Sequence, residues 1–329
     1  NRIVTVRVTS NGVIDGPVTV RLHYPRGLTG DSAAKIVTLT VGNGVAVPFR
    51  LRGTLPRGRH VLSASVDALV AGKRVTFASG YERVEYEHIR PQHMYRPAAV
   101  ALESVETGAA PIGVVGYITG LADNVQPMLA QLGATVETVS ALTISESMLT
   151  RYRVIVVGPR ALEAQPALAA KMSVLHAWVR NGGTMVVQYQ QTDIAKPGMA
   201  PFPMTFARPA ARVAEEDAAV RTLRADSPVL TRPNRIGPTD WNGWVQERAT
   251  YMPTTADSAY TAILGMHDPE EPENSNALLT ANIGKGTYVF TSLALFRQLP
   301  AGVPGAARLF VNLLNAGEPV VPVRRQPVP

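Results

Sequence analysis

From residue 1 to about residue 88, hydrophobic side chains recur at every second position. Arg2-Ile3-Val4-Thr5-Val6-Arg7-Val8, Val18-Thr19-Val20-Arg21-Leu22-His23-Tyr24 and Ile36-Val37-Thr38-Leu39-Thr40-Val41 alternate or carry β-branched residues. Val45-Ala46-Val47-Pro48-Phe49-Arg50-Leu51 and His60-Val61-Leu62-Ser63-Ala64-Ser65-Val66 do the same, as half-buried strands require. Gly42-Asn43-Gly44 and Ala71-Gly72-Lys73 supply residues that tolerate positive φ, so each predicts a hairpin turn. About seven short strands in this span predict an antiparallel β-sandwich of immunoglobulin-like size over residues 1–88.

The alternation stops after His88, and residues 89–110 read as a linker. Pro91 and Pro97 each hold the preceding residue extended. His88 and His93 lie five apart without a third ligand, too few for a metal site.

Residues 111–317 follow a different rhythm. Pro111 to Ile118 is a continuous apolar run, the signature of a parallel strand covered on both faces. A helix is predicted next, with Asp123 or Asn124 as cap, Val125, Met128, Leu129 and Leu132 on one face, and Gly133 ending it. Strands are predicted at 134–139, 154–158 and 184–189, with a long helix at 168–179. Right-handed crossovers then give an open parallel sheet in a flavodoxin-like order. From about 190 to 276 the rhythm is lost, which predicts an inserted subdomain or a functional surface layer. A hairpin at 277–292 and a helix at 306–314 close the domain, and a proline-rich tail, 318–329, is predicted to be extended.

Composition narrows the chemistry. The 329 residues contain no Cys, which removes thiolate zinc sites, iron–sulfur clusters and cysteine nucleophiles. No apolar run reaches the roughly 20 residues of a membrane-spanning helix. Residues 1–108 hold 14 Lys and Arg against 8 Asp and Glu, whereas 109–329 hold 18 against 17, so the basicity belongs to the first domain. The cations there alternate with apolar residues along strands, and no nucleic-acid-binding motif accompanies them. A solvated basic sheet face, or an acidic protein or membrane partner, accounts for them better than nucleic acid does. The sequence starts at Asn1 without an initiator Met, from which a processed piece of a longer protein is expected.

Several strings carry a family resemblance. Gly116-Tyr117 with Gly120, Asp123 and Val125, then Leu129, Leu132-Gly133 and Val136, is one of them; Arg212-Val213 with Glu215-Glu216-Asp217-Ala218 is more specific. Pro233-Asn234-Arg235-Ile236 with Asp240, Gly243-Trp244-Val245-Gln246-Glu247-Arg248 with Tyr251, and Phe296 to Ala306 are equally specific. Together they resemble, over about residues 111–315, the C-terminal region of large bacterial PIG-L (LmbE-like) deacetylases. The resemblance implies a sandwich followed by a domain of class I glutamine-amidotransferase-like fold, and a periplasmic or extracytoplasmic location. It also implies a zinc deacetylase domain marked by an Ala-His-Pro-Asp-Asp-Glu type string. This chain has none; His267-Asp268-Pro269-Glu270 lacks the order and a partner His. An amidotransferase nucleophile would sit at the turn Tyr189-Gln190-Gln191, which holds no Cys and no Ser. His176 lies mid-helix between Leu175 and Ala177 and reads as packed. The domain is therefore expected to be catalytically empty, a pseudoenzyme without cofactor or metal.

A polar cluster remains. Glu215, Glu216, Asp217, Asp240, Trp244, Gln246, Glu247, Arg248 and Arg297 are candidates to meet at the carboxyl edge of the sheet. Paired Glu and Arg residues tie an insertion to its scaffold. Alternatively, Trp241 or Trp244 is the platform of a glycan or small-ligand pocket, with Asp240, Glu216, Glu247, Arg248 and Arg297 around it. The acidic string Asp268 to Glu273 reads as a solvated loop rather than a calcium site. The expected function is a non-enzymatic structural or interaction subunit docking on a partner protein, such as a membrane-bound complex on its periplasmic face. The alternative is a glycan-binding accessory module of a PIG-L-type de-N-acetylase.

Overall fold

A computed structural model describes residues 2–12 and 14–317; the predicted tail, 318–329, lies outside the described residues. The chain divides into two compact units, the second beginning at Glu106.

The first unit is all β. Its strands are β1 (Arg2–Thr9), β2 (Gly16–His23), β3 (Leu28–Gly30), β4 (Ala34–Leu39), β5 (Gly44–Gly53), β6 (Gly58–Val70), β7 (Lys73–Phe77), β8 (Ser79–Val84), β9 (Gln92–Pro97) and β10 (Ala99–Ser104). One sheet has the order β1-β5-β3, and a second has the order β10-β6-β2-β4 with β7 also on β6. Alternate residues of both sheets, Val18, Val20 and Leu22 of β2, Leu62 and Ala64 of β6, and Val47, Phe49 and Leu51 of β5, fill a common core. Period-two burial thus fixes which face of each strand turns inward.

Two of the turn and linker expectations change. Ala71 and Gly72 do form a two-residue hairpin loop, with φ of 49° and 77° and Val70 paired to Lys73. Gly42-Asn43-Gly44 does not, because β4 and β5 belong to different sheets and the glycines carry the chain between them. Positive φ is needed in both settings, so the sequence could not tell them apart. Residues 89–110 are not a plain linker either: 92–97 and 99–104 are β9 and β10, and β10 pairs with β6 along 58–63.

The second unit centres on a seven-stranded mixed sheet. β11 (Val114–Ile118), β12 (Thr135–Thr138), β13 (Tyr152–Val157), β14 (Thr184–Gln188), β15 (Thr261–Ala262), β16 (Leu278–Ile283) and β17 (Gly286–Thr291) pair in the order β12-β11-β13-β14-β17-β16-β15. The first five in that order are parallel, a 2-1-3-4-5 succession, and β16 and β15 add antiparallel strands. The helices used below are α1 (Val125–Gln131), α2 (Met172–Arg180), α3 (Leu295–Ala301) and α4 (Pro304–Leu314). Of the two capping candidates, Asn124 occupies the cap without a side-chain bond, while the Asp123 carboxylate accepts the Val125 N–H at 3.0 Å. The helix predicted from Leu168 begins as a 3-10 turn, Pro166–Lys171, before α2.

The insertion is organised rather than loose. Ala211–Val213 pairs with Ala249–Met252, Val220–Thr222 with Leu264–Met266, and Met204–Thr205 with Thr255–Ala256. It is pinned to α4 through buried Asn312, whose Oδ1 accepts from Asn234 N–H at 2.8 Å and whose Nδ2 donates to the carbonyls of Val229 and Asn234.

Candidate functional site

Parallel sheets of this order bind ligands outside the strand carboxyl ends, at the switch between the first and third strands. Here that crevice lies between the loops after β11 and β13, and the two loops fill it. Leu121 N–H donates to the Pro159 carbonyl at 2.9 Å, Gly158 N–H to Ile118 at 2.8 Å, and Gln165 Nε2 to Thr119 at 2.8 Å. A Cβ on Gly120 would stand 1.8 Å from the Pro159 oxygen, and one on Gly158 2.2 Å from Asp123 Oδ2. Asp123 anchors the arrangement by accepting from Tyr117 Oη at 2.8 Å and Gly120 N–H at 2.9 Å. Burial, and then the Asp123 charge, push the Tyr117 hydroxyl well above the usual phenol range. Gly120→Ala is expected to cost about 1–3 kcal/mol, measured by urea denaturation followed by Trp fluorescence. All three Trp (178, 241 and 244) lie in the second unit, so this signal reports it alone.

The turn after β14 is plugged as well. Gln190 is 2% exposed; its Oε1 accepts Leu162 N–H at 2.9 Å, and its Nε2 donates to the Gly158 carbonyl at 2.7 Å and to that of Gln188 at 2.8 Å. The sharp turn itself exists, since Gln191 has φ of 50°. Its side chain of interest is a carboxamide committed to backbone. His176 is buried in α2 with its ring 6.3 Å from that of Tyr288 and, among the described residues, no hydrogen-bond partner at Nε2. Burial, aided by Arg180, lowers its pKa to about 4.

The structure does bring most of the nominated polar residues together, and uses them as ties. Asp240 accepts from Arg308 Nε and Gly237 N–H, at 2.8 and 2.9 Å. Glu216 accepts from Gln246 N–H at 2.8 Å, and Glu247 pairs with Arg297 at 2.8 Å. Arg248 is buried, donates to the carbonyls of Ala218 and Trp241, and lies 5.6 Å from the Trp244 ring. Burial lowers its pKa, opposed by Asp217 and Glu216. Glu215 contributes its N–H to Asp268, not its carboxylate to the cluster.

One expectation needs correction. Trp244 and Trp241 are 3% and 7% exposed and pack on each other at 5.3 Å, so neither offers a ring face to a glycan. The acidic string is exposed from Pro269 to Glu273, as a solvated loop is, and is tied at its two ends: Asp268 accepts from Ala214 and Glu215 N–H groups, and Glu273 is held by Arg221. Arg248→Met is expected to cost about 2 kcal/mol by stranding two buried carbonyls, read by the same fluorescence assay.

Sequence reasoning missed a second group at the carboxyl edge. The rings of Tyr189 and Tyr251 stack at 6.0 Å and 22°, and Phe296 lies 5.1 Å from Tyr189. Arg160, which pairs with Glu163 at 2.8 Å, follows β13. The backbones of Arg160, Gln191, Gln246 and Tyr251 all have positive φ, between 49° and 69°. These residues come from four separate segments, and nothing in their local sequence announces the meeting. Strained non-glycine backbone of this kind concentrates at ligand and switch regions. A separate groove of about 650 Å³, lined by Glu146, Tyr152, Trp178 and Asn181 among others, lies at the opposite, amino edge of the sheet.

No family model and no curated protein matches the chain. Among solved structures it is similar to a ThuA-like protein from Bacteroides uniformis, with 11% identity and a TM-score of 0.46 over 64% of this chain and 94% of that one. It is also similar to a GMP synthase protein from Thermoplasma acidophilum, with 9% identity and a TM-score of 0.39 over 63% of this chain and 95% of that one. A β-galactosidase from Rahnella sp. R3 gives 14% identity and 0.36 over 64% of this chain and 31% of that enzyme.

Proposed function

We propose that the chain is a non-enzymatic structural subunit, namely an extracytoplasmic module that docks on a partner protein or on the periplasmic face of a membrane-bound complex. The observation that carries the reading is Gln190. It occupies the turn where a domain of amidotransferase-like fold would present a nucleophile, and all its polar atoms are engaged by backbone. Closure of the crevice between β11 and β13 supports the same conclusion, as does the use of Glu247, Arg297, Asp240 and Arg308 as ion pairs. In its finer form the reading makes the first unit an immunoglobulin-like sandwich. The second unit is then an amidotransferase-like domain emptied of its triad, in accord with the strings that resemble the PIG-L C-terminal region. Native mass spectrometry of particles gently extracted from the source membranes tests it. The chain is expected at fixed stoichiometry with other subunits; recovery of the chain alone would overturn the proposal.

A second reading, a glycan-binding accessory module, has one observation in its favour. Tyr189, Tyr251 and Phe296 are half-buried at the carboxyl edge, the two Tyr rings stacked and Phe296 tilted against Tyr189, where the buried Trp pair cannot serve. Calorimetric titration with envelope polysaccharide is then expected to show binding that Tyr189→Ala abolishes. Absence of heat, or an unchanged isotherm in the variant, removes this reading.

A further inference from the structure

We infer that the β8–β9 hairpin is a docking arm, and that its aromatic face receives an acidic surface of the partner protein. The inference deepens the structural-subunit reading and rests on it.

The arm is an excursion from a sheet that does not need it. β7 pairs with residues 66–70 of β6, and β10 pairs with residues 58–63 of the same strand. Between them the chain leaves at Phe77, pairs only with itself and returns at Ala98, where Ala64 N–H donates to the Ala98 carbonyl at 2.7 Å. Residues 79–83 and 92–97 are all exposed. A two-stranded ribbon is marginal in water by itself. This one is braced by Tyr81, whose ring lies 5.3 Å from His93 and 5.4 Å from Tyr95.

Its two faces differ in chemistry. The register pairs Ser79 with Pro97, Tyr81 with Tyr95 and Arg83 with His93, so these six residues share one face, and the Glu85 carboxylate, just beyond β8, joins it by pairing with Arg83. Glu82, with Met94 opposite, is on the other. Tyr95 is 70% and Tyr81 39% exposed, and Tyr86, Ile89 and Met94 add further exposed apolar surface to the arm. Aromatic, Met and Arg side chains are those enriched where protein interfaces bury their centres.

Charge selects the partner. Residues 2–105 carry 14 Lys and Arg against 7 Asp and Glu, Arg83 of the aromatic face among them; the arm, 78–97, itself holds three Arg and three Glu, so the excess of positive charge lies in the rest of the unit. Among the described residues Arg83 pairs with Glu85 at 3.0 Å, both side chains more than half exposed, a contact weak enough for a partner's carboxylate to replace. An acidic surface with apolar residues between its carboxylates complements this face, and like-charged surfaces are repelled.

The test uses the full chain, with Arg83→Glu and Tyr95→Ala variants whose urea midpoints are checked first. The probes are labelled 12-residue peptides that all carry two Leu and two Tyr, with either four Asp or four Lys, and a single-stranded oligothymidylate. Fluorescence anisotropy is expected to show the Asp peptides binding at least tenfold more tightly than the Lys peptides. Either substitution is expected to cut that binding tenfold or more, and added salt to weaken it. Equal binding of both peptides, indifference to both substitutions, or tighter binding of the oligonucleotide would overturn the inference. So would a dimer in sedimentation that Tyr95→Ala dissolves, since the occupant would then be a second copy. A photo-crosslinking residue at position 95 in source membranes separates this inference from the reading beneath it. A stoichiometric particle without a crosslink from position 95 removes the arm and leaves the subunit reading standing. Recovery of the chain alone removes that reading itself.

Discussion

Replacing Asn312 by Ala is expected to destabilise the second unit by about 4 kcal/mol. The side chain is completely buried in α4, between apolar neighbours, and every polar atom it has is used. Its Oδ1 accepts from the backbone N–H and from the Nδ2 of Asn234, at 2.8 and 3.1 Å, and its Nδ2 reaches two carbonyls at 3.0 and 2.8 Å. Truncation leaves those backbone groups buried without partners, each at a cost of about 1–3 kcal/mol, reduced where water or small shifts restore contact. Urea denaturation followed by Trp fluorescence measures the loss directly, because only the second unit contributes. Asn312→Asp should be nearly as damaging, since a carboxylate cannot donate to the Val229 and Asn234 carbonyls. A cost below about 1 kcal/mol for Asn312→Ala would show that the insertion is held elsewhere.

Acid should weaken the same unit through His176. Its pKa in the folded state is about 4, below the usual 6.5, because burial disfavours the imidazolium and Arg180 repels it. The unfolded chain therefore takes up a proton that the folded one refuses. Stability is complete above about pH 6.5 and falls progressively as the pH drops toward 4, by up to about 3 kcal/mol. His176→Phe preserves the ring against Tyr288 and abolishes the proton. Its urea midpoint is expected to stay level from pH 7 down to about pH 4.5. Below that, Glu273, whose carboxyl is held low chiefly by its hydrogen bond from Arg221, begins to be protonated in the unfolded chain. If wild type and His176→Phe fall in parallel between pH 6.5 and 4.5, the buried imidazole is not the cause.

These residues mark where sequence reading succeeded and where it stopped. Strands β1, β2, β5 and β6 were legible because one face is buried, so alternation survives in the sequence. The parallel strands β13 and β14 were legible for the opposite reason, being buried almost throughout. β9 is exposed on every residue, which leaves no period to read, and Pro91 and Pro97 suggested a linker. α3 was missed because Pro300 interrupts its pattern one residue before its end. The strings around Asp240 and Arg248 pointed to the right neighbourhood. Their partners could not be read, since Arg308 and Asn312 lie far along the chain and the pairing is a property of the fold. Asn312 alone left a trace, as the one polar residue within Leu309-Phe310-Val311-Asn312-Leu313-Leu314.

The large sheet ends on one side in β15, two residues long, and on the other in β12, four residues long. Such short margins present few free backbone donors and acceptors to a passing strand. Crowded together on a surface, many copies of this unit would have little means of zipping into one another. Growth into larger assemblies would be left to side chains, whose complementarity can be specific in a way that bare backbone cannot.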